Sequence, residues 1–286
     1  MYAPERIRGG VSPDLKRHLD LSGPLARRHK AKLYGRGETL VVLAHGLGAD
    51  QSSWQRILPG LVEDCRVLVF DAACALTNDE DYDFRRYGDL HGYAEDVLEL
   101  FAEIDVQNCV YIGASLSANA GMLASIEQPH RFKKLIAICG APGYVNLPEE
   151  NFHGPFSLED LERVFASMHE NYLAWVAGFA PRVVCEDNSE AIEEFSRHLI
   201  SMRPDVAISV SRTAFLTDFR DALSMVEIPC VLLQGREDLA VPEEVTQYMA
   251  ARLPKCMYEI LPTRGHIPHM SAPGIVLSAL RRHIPG

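Results

Sequence analysis

The sequence predicts an α/β fold, a mostly parallel central sheet flanked by helices and carrying an inserted all-helical segment. Three observations predict it. Short runs rich in Val, Ile and Leu lack the alternation of a half-buried sheet, as strands covered on both faces do. Helical patterns separate these runs, as the crossovers of a parallel sheet require. The rhythm stops near residue 145 and resumes near 228, with only helical spacing between.

Taken in order, strands are expected at 39–44, 66–71, 109–113, 134–139, 228–234 and 257–261, and core helices at 90–104, 116–127 and 243–253. In the interval, Ser157-Leu158-Glu159-Asp160 is a capping-box-like helix start, and Leu161, Val164, Phe165, Met168, Tyr172 and Trp175 follow at helical spacing. Ile192, Phe195, Leu199 and Met202 form a second stripe, and Pro204-Asp205 opens a third helix carrying Ile208, Ser211 and Phe215. The expected organisation is a flexible extension over 1–22, a core of 23–144 and 218–286, and a three-helix lid over 145–217.

The 286 residues suit one such domain with an insertion. Hydrophobic residues at 47% and charged residues at 23% are ordinary globular usage. Residues 1–37 hold nine Lys/Arg against three Asp/Glu, whereas the chain as a whole carries −11, so the body is strongly acidic. An acidic body without a basic stripe argues against nucleic acid as a partner, and the basic start reads as a solvated terminus. No apolar run reaches the roughly 18 residues of a membrane span. The N-terminus has no apolar segment of a secretory signal and contains acids that an organelle transit peptide lacks. Seven cysteines without a C-x-x-C pair read as free thiols in a reducing compartment. No extra apolar stripe marks the core, so a monomer is expected.

The chemistry is expected at three strand ends. Gly113-Ala114-Ser115-Leu116-Ser117 ends a strand and opens a helix, the context of a nucleophile elbow, nominally G-x-S-x-G, with Ser117 in place of the last glycine. Gly235-Arg236-Glu237-Asp238 follows a late strand, and Asp238 is the candidate acid, Glu237 reading as a solvated charge. Gly265-His266 follows the last strand and supplies the candidate base. His269 in the same loop, with no preceding glycine, reads as a pocket-rim or surface residue; His91, His153 and His169 read as structural or exposed. The order Ser…Asp…His is that of the α/β-hydrolase fold. His266 would take the Ser115 proton, and Asp238 would hold the imidazole and stabilise its charged form. The N–H groups of Leu116 and of Leu47, in His45-Gly46-Leu47-Gly48, are the candidate oxyanion hole; His45 reads as a structural hydrogen-bonder. No metal-ligand spacing, phosphate loop or dinucleotide fingerprint occurs, so no metal or cofactor is expected.

The segment V-V-L-A-H-G-L-G-A-D-Q-S at 41–52 resembles the first-strand signature of the plant strigolactone and karrikin receptors, the dwarf-fourteen and karrikin-insensitive type α/β-hydrolases with bacterial RsbQ-type relatives. The likeness continues through Asp83-Phe84-Arg85-Arg86-Tyr87, Tyr144-Val145-Asn146, Asn171-Tyr172, Gly178-Phe179-Ala180-Pro181 and Glu194-Phe195-Ser196-Arg197. Met202-Arg203-Pro204-Asp205, Asp238-Leu239-Ala240-Val241-Pro242 and Gly265-His266 complete it over about residues 25–284. The resemblance implies a receptor that is also a slow hydrolase. Such proteins bind a butenolide between core and lid, attack it with the serine and, through the lid, recruit an F-box protein and a repressor. It also implies a place in cytoplasm and nucleus, and a pocket that includes Leu47, Tyr144, Phe156, Phe179, Phe195, Phe215, Leu239 and Ala240. The alternative is a metabolic esterase with the same triad and no signalling role. Departures are Ala114 where the family has His, Leu47 where it has Phe, and Ala141-Pro142-Gly143-Tyr144 where S-P-R-Y is usual. They mark a diverged paralogue, and Leu47 should enlarge the pocket.

Overall fold

Six parallel strands and one antiparallel edge strand form the centre of the protein, in a computed structural model that describes residues 19–76, 82–185 and 187–284. Most of the extension expected at 1–22 lies outside the described residues. The strands are β1 (Lys32–Tyr34), β2 (Thr39–Ala44), β3 (Cys65–Phe70), β4 (Cys109–Ala114), β5 (Phe132–Ile138), β6 (Cys230–Arg236) and β7 (Cys256–Arg264), in the order β1-β3-β2-β4-β5-β6-β7. Only β1 runs antiparallel, against β3. It was not expected from the sequence, because three residues on an edge carry too short a pattern.

The missing alternation has its physical cause in the packing. Val42, Leu68, Tyr111, Leu135 and Leu232 belong to one apolar cluster, and Val41, Val67, Val110, Ile136 and Val231 to another on the opposite face. Both faces are covered, so successive strand residues are both apolar. The longer helices among the described residues are α1 (Leu90–Glu103), α2 (Leu116–Glu127), α3 (Leu158–Glu170), α4 (Tyr172–Val184), α5 (Ser189–Ser201), α6 (Pro204–Leu216), α7 (Glu243–Ala250) and α8 (Pro273–His283). α8 also went unexpected; its Val276, Ala279 and Leu280 pack under the second face with Trp54, Ile57 and Leu61. None of the described helices is long and apolar enough to cross a membrane.

Among the described residues four α-helices, α3 to α6, stand between β5 and β6, rather than three. The stripe from Leu161 to Trp175 is interrupted at Asn171, whose extended backbone (φ −153°) and side chain, accepting from the Ala174 N–H, end α3 and cap α4. Ser157 and Asp160 form a reciprocal capping box on α3, Asn188 caps α5 and Pro204 occupies the first turn of α6. The insert is fastened to the core at several points. Arg56 pairs with Glu190 (2.6 Å) and Glu194 (2.7 Å) of α5, and the Thr213 hydroxyl of α6 donates to the Tyr87 carbonyl (2.7 Å).

Strand order reverses between β2 and β4, since β3 lies to one side of β2 and β4 to the other. In a doubly wound sheet the crevice beyond the carboxyl ends of two such strands is where ligands bind. The loop at Gly46–Gly48 and the turn at Ser115 flank that crevice.

Candidate active site

Ser115 stands at the tip of β4 with φ 52° and ψ −118°, a left-handed backbone that a non-glycine residue adopts at a cost. Its N–H donates to the Ile138 carbonyl at 2.9 Å, so the tip of β5 holds the turn. Small neighbours make the turn possible. A Cβ on Gly113 would lie 2.6 Å from the Ala118 Cα, and one on Gly46 would lie 2.9 Å from the Ala114 carbonyl oxygen. Ser117, in place of a glycine, has a role of its own: its hydroxyl donates to the His45 carbonyl and ties α2 to the loop after β2.

That loop is braced by His45, which is fully buried. Its Nε2 accepts from the Ala72 N–H (2.9 Å), so Nδ1 carries the proton and donates to the Gly46 carbonyl (3.0 Å). Burial holds its imidazole below the ordinary value, which keeps this arrangement neutral. Leu47 is thereby set beside the elbow. Leu116 begins α2, where the first-turn N–H groups have no partner within the helix.

The structure brings the three predicted polar residues together. His266 Nε2 accepts from the Ser115 hydroxyl at 2.8 Å, and its Nδ1 donates to Asp238, 2.9 Å to Oδ2 and 3.1 Å to Oδ1. Asp238 is buried, and both oxygens have further partners. Oδ1 accepts from the Ala240 (2.8 Å) and Val241 (3.1 Å) N–H groups, and Oδ2 from the Gln234 side-chain amide (2.8 Å). Burial works against the carboxylate, but the charge and hydrogen bond of His266, with the bonds from Gln234 and Ala240, outweigh it and keep the group below its ordinary value. Glu237 is exposed and pairs with Arg264 at 2.7 Å. The loop of His266 rests on the insert: its N–H donates to the Val183 carbonyl (2.9 Å) at the end of α4.

Residues 41–279 match the alpha/beta hydrolase family. The chain is 44% identical to a karrikin insensitive 2 receptor of Petunia hybrida, the match covering 92% of this chain and 97% of the relative. It is 42% identical to a strigolactone esterase of Pisum sativum, over 90% and 97%. A solved hydrolase from Oleispira antarctica superposes with a TM-score of 0.87 at 32% identity, over 91% of this chain and 96% of that one. The chain belongs to the alpha/beta hydrolase family. Within it, the sequence groups with the karrikin insensitive 2 receptors and strigolactone esterases.

In this hydrolase a narrow cavity of about 50 Å³ lies over Ser115 and His266. All eight residues that the family resemblance implied line it: Leu47, Leu239 and Ala240 from the strand ends, Tyr144 from the loop after β5, and Phe156, Phe179, Phe195 and Phe215 from the insert and its approach. The cavity is apolar with few polar groups. Tyr144 is buried, accepts from the Asn119 amide at 3.5 Å and is pushed up to about 12, so its hydroxyl keeps its proton. A wider cleft of about 770 Å³ between α3 and α4 shares Phe156, Phe179, Phe215 and Leu239 with it.

His269 corrects the sequence reading. It is neither rim nor surface: it is 2% exposed, lines the inner cavity and packs against Trp54, centroids 4.5 Å apart and ring planes 31° apart. A histidine in a loop of mixed polarity carries no pattern that separates outside from inside. Gln234 was also missed; a lone amide ending the apolar run of β6 was its signal. Cys139 approaches as well, its Sγ within 4.8 Å of ligand atoms of Asp238 and His266. Burial pushes that thiol well up, and the carboxylate is already satisfied, so the three read as the triad beside a neutral thiol. All seven cysteines are free, five of them buried.

Proposed function

We propose that the protein is a slow serine hydrolase acting as a receptor for a butenolide-type ligand, with Ser115 as nucleophile, His266 as base and Asp238 as its partner. The observation that carries the reading is the Ser115–His266–Asp238 hydrogen-bonded relay on the floor of an aromatic cavity roofed by a helical insert. The sequence grouping with karrikin insensitive 2 receptors and strigolactone esterases supports it.

Ser115 Oγ adds to the ligand's lactone carbonyl while His266 Nε2 takes its proton. The N–H groups of Leu47 and Leu116 receive the oxyanion, each such donor contributing about 3–4 kcal/mol of transition-state stabilisation. Collapse breaks the acyl–oxygen bond of the lactone, His266 gives its proton to the departing oxygen, and the acyl group is left on Ser115. A water, deprotonated by His266, then releases it.

An inner cavity of about 50 Å³ admits a small flat ring only with some opening, and the cleft of about 770 Å³ beside it takes the rest of the ligand. The insert therefore acts as the lid, and entry of ligand shifts it. Leu158, Leu173 and Leu216 on α3, α4 and α6 are exposed apolar side chains, which suit a docking surface for an F-box protein and its repressor target. Such signalling places the protein in cytoplasm and nucleus.

The test is time-resolved release from a fluorogenic butenolide enol ether, both enantiomers, with thermal melting in parallel. Wild type should release slowly and stereoselectively and melt lower with ligand, and Ser115→Ala should lower the rate by about 10⁴-fold or more. No release, with rapid turnover of a simple aryl ester, would replace the receptor by a metabolic esterase.

A further inference from the structure

The inner cavity contains a polar group that the triad does not use. His269 is 2% exposed, and neither of its ring nitrogens has a hydrogen-bond partner among the described residues. Trp54, against which it packs, is fully buried, and its Nε1 also has no partner among the described residues. Buried polar atoms are almost always paired with protein, water or ligand, and leaving one unmatched is costly. A buried imidazole with two unmatched nitrogens, on the wall of the cavity that holds Ser115 and His266, is placed to meet a bound molecule.

We propose that His269 is a substrate-recognition residue, hydrogen-bonding a hydroxyl carried on the acyl part of the ester or lactone that Ser115 attacks. The inference rests on the hydrolase reading and adds a substrate class to it. Burial pushes the ring down to about 3, so at working pH one nitrogen donates and the other accepts. A hydroxyl matches both properties. A carboxylate or ammonium does not, because the surrounding Leu47, Phe195, Ala240 and Ile267 would strip its water without offering an opposite charge. A substrate hydroxyl supplies hydrogen bonds that the ring otherwise lacks, whereas an alkyl chain leaves the imidazole unmatched.

The experiment compares kcat/KM of the full chain for 4-methylumbelliferyl butyrate and its 2-, 3- and 4-hydroxy analogues. Wild type should prefer at least one hydroxy ester over butyrate by about tenfold or more. His269→Phe should bring the ratio of kcat/KM for that ester to kcat/KM for butyrate down to about one, and His269→Gln, which keeps a donor and an acceptor, should retain part of the preference. If His269→Phe does not fold, the His269→Gln ratio decides, with the imidazole ¹⁵N shifts of Ser115→Ala, which should move on adding the preferred ester and stay fixed with butyrate. Turnover of all four esters at equal efficiency, or equal losses on all of them in His269→Phe and His269→Gln, would overturn the assignment while leaving the hydrolase intact. Failure of wild type to cleave any ester would remove the hydrolase reading itself.

Discussion

The strand ends and the insert face the same cavity, but different forces hold them. Asp238, Ser115 and His45 are fixed by short hydrogen bonds to backbone and buried amides. The charged groups of the insert pair mainly at its surface, Arg163 with Glu159 and Asp160, Arg203 with Asp205, and Arg212 with Glu162. Exposed pairs of this kind contribute little, so the insert depends on its apolar stripes, as in the burial of Leu161, Phe165, Phe195 and Leu199. The difference teaches how the molecule divides its work. Proton transfer needs groups positioned to within about 0.5 Å, whereas a segment held by apolar packing can open locally without disturbing them.

Three changes break or sharpen that contrast. The largest effect belongs to Asp238→Asn, which keeps the shape but cancels the charge and tautomer control; kcat on an aryl ester should fall by about 10⁴-fold. Its stability consequence has a definite sign. The folded carboxyl lies below its ordinary value, so its contribution is full above the unfolded value and is lost as pH falls through the folded one. Urea midpoints measured between about pH 6 and 3 should therefore decline more steeply in wild type than in Asp238→Asn.

Gly265→Ala attacks one of the seams where the two regions touch. Gly265 has φ +83°, and a Cβ there would lie 2.1 Å from the Val184 carbonyl oxygen. The variant should lose about 1–3 kcal/mol in urea unfolding and lose activity beyond what that unfolding explains, since His266 is displaced with it. The smallest effect is Ser157→Ala, which removes the capping box of α3; about 1 kcal/mol of stability, read as faster amide exchange in α3, should go with an unchanged kcat on a small aryl ester.

Much of this was legible in the sequence, for identifiable reasons. Strands covered on both faces announce themselves as unbroken apolar runs, so β2 over Thr39–Ala44 was read to the residue. Ser115, Asp238 and His266 each follow such a run, and their meeting needs only the order of the strands. Asn171 was hidden because the apolar spacing of α3 continues across it into α4, and the eye follows spacing rather than caps. β1 is too short to show a period. His269 and Gln234 were hidden for a different reason: burial of a polar side chain is decided by what packs around it, and nothing local records that.

The bond from His266 N–H to the Val183 carbonyl has a mechanical meaning. At the first residue of α4 the Tyr172 hydroxyl donates to the Leu199 carbonyl of α5 (2.7 Å), within the insert, while at its last turn α4 is pinned to the loop that carries His266. That end is a fulcrum, and the lever arm runs from it toward Tyr172 and the α3 side of the cleft. In the receptor-hydrolase proposed above, a rotation of α4 that admits a ligand would move the pinned end least, which would leave the imidazole in place.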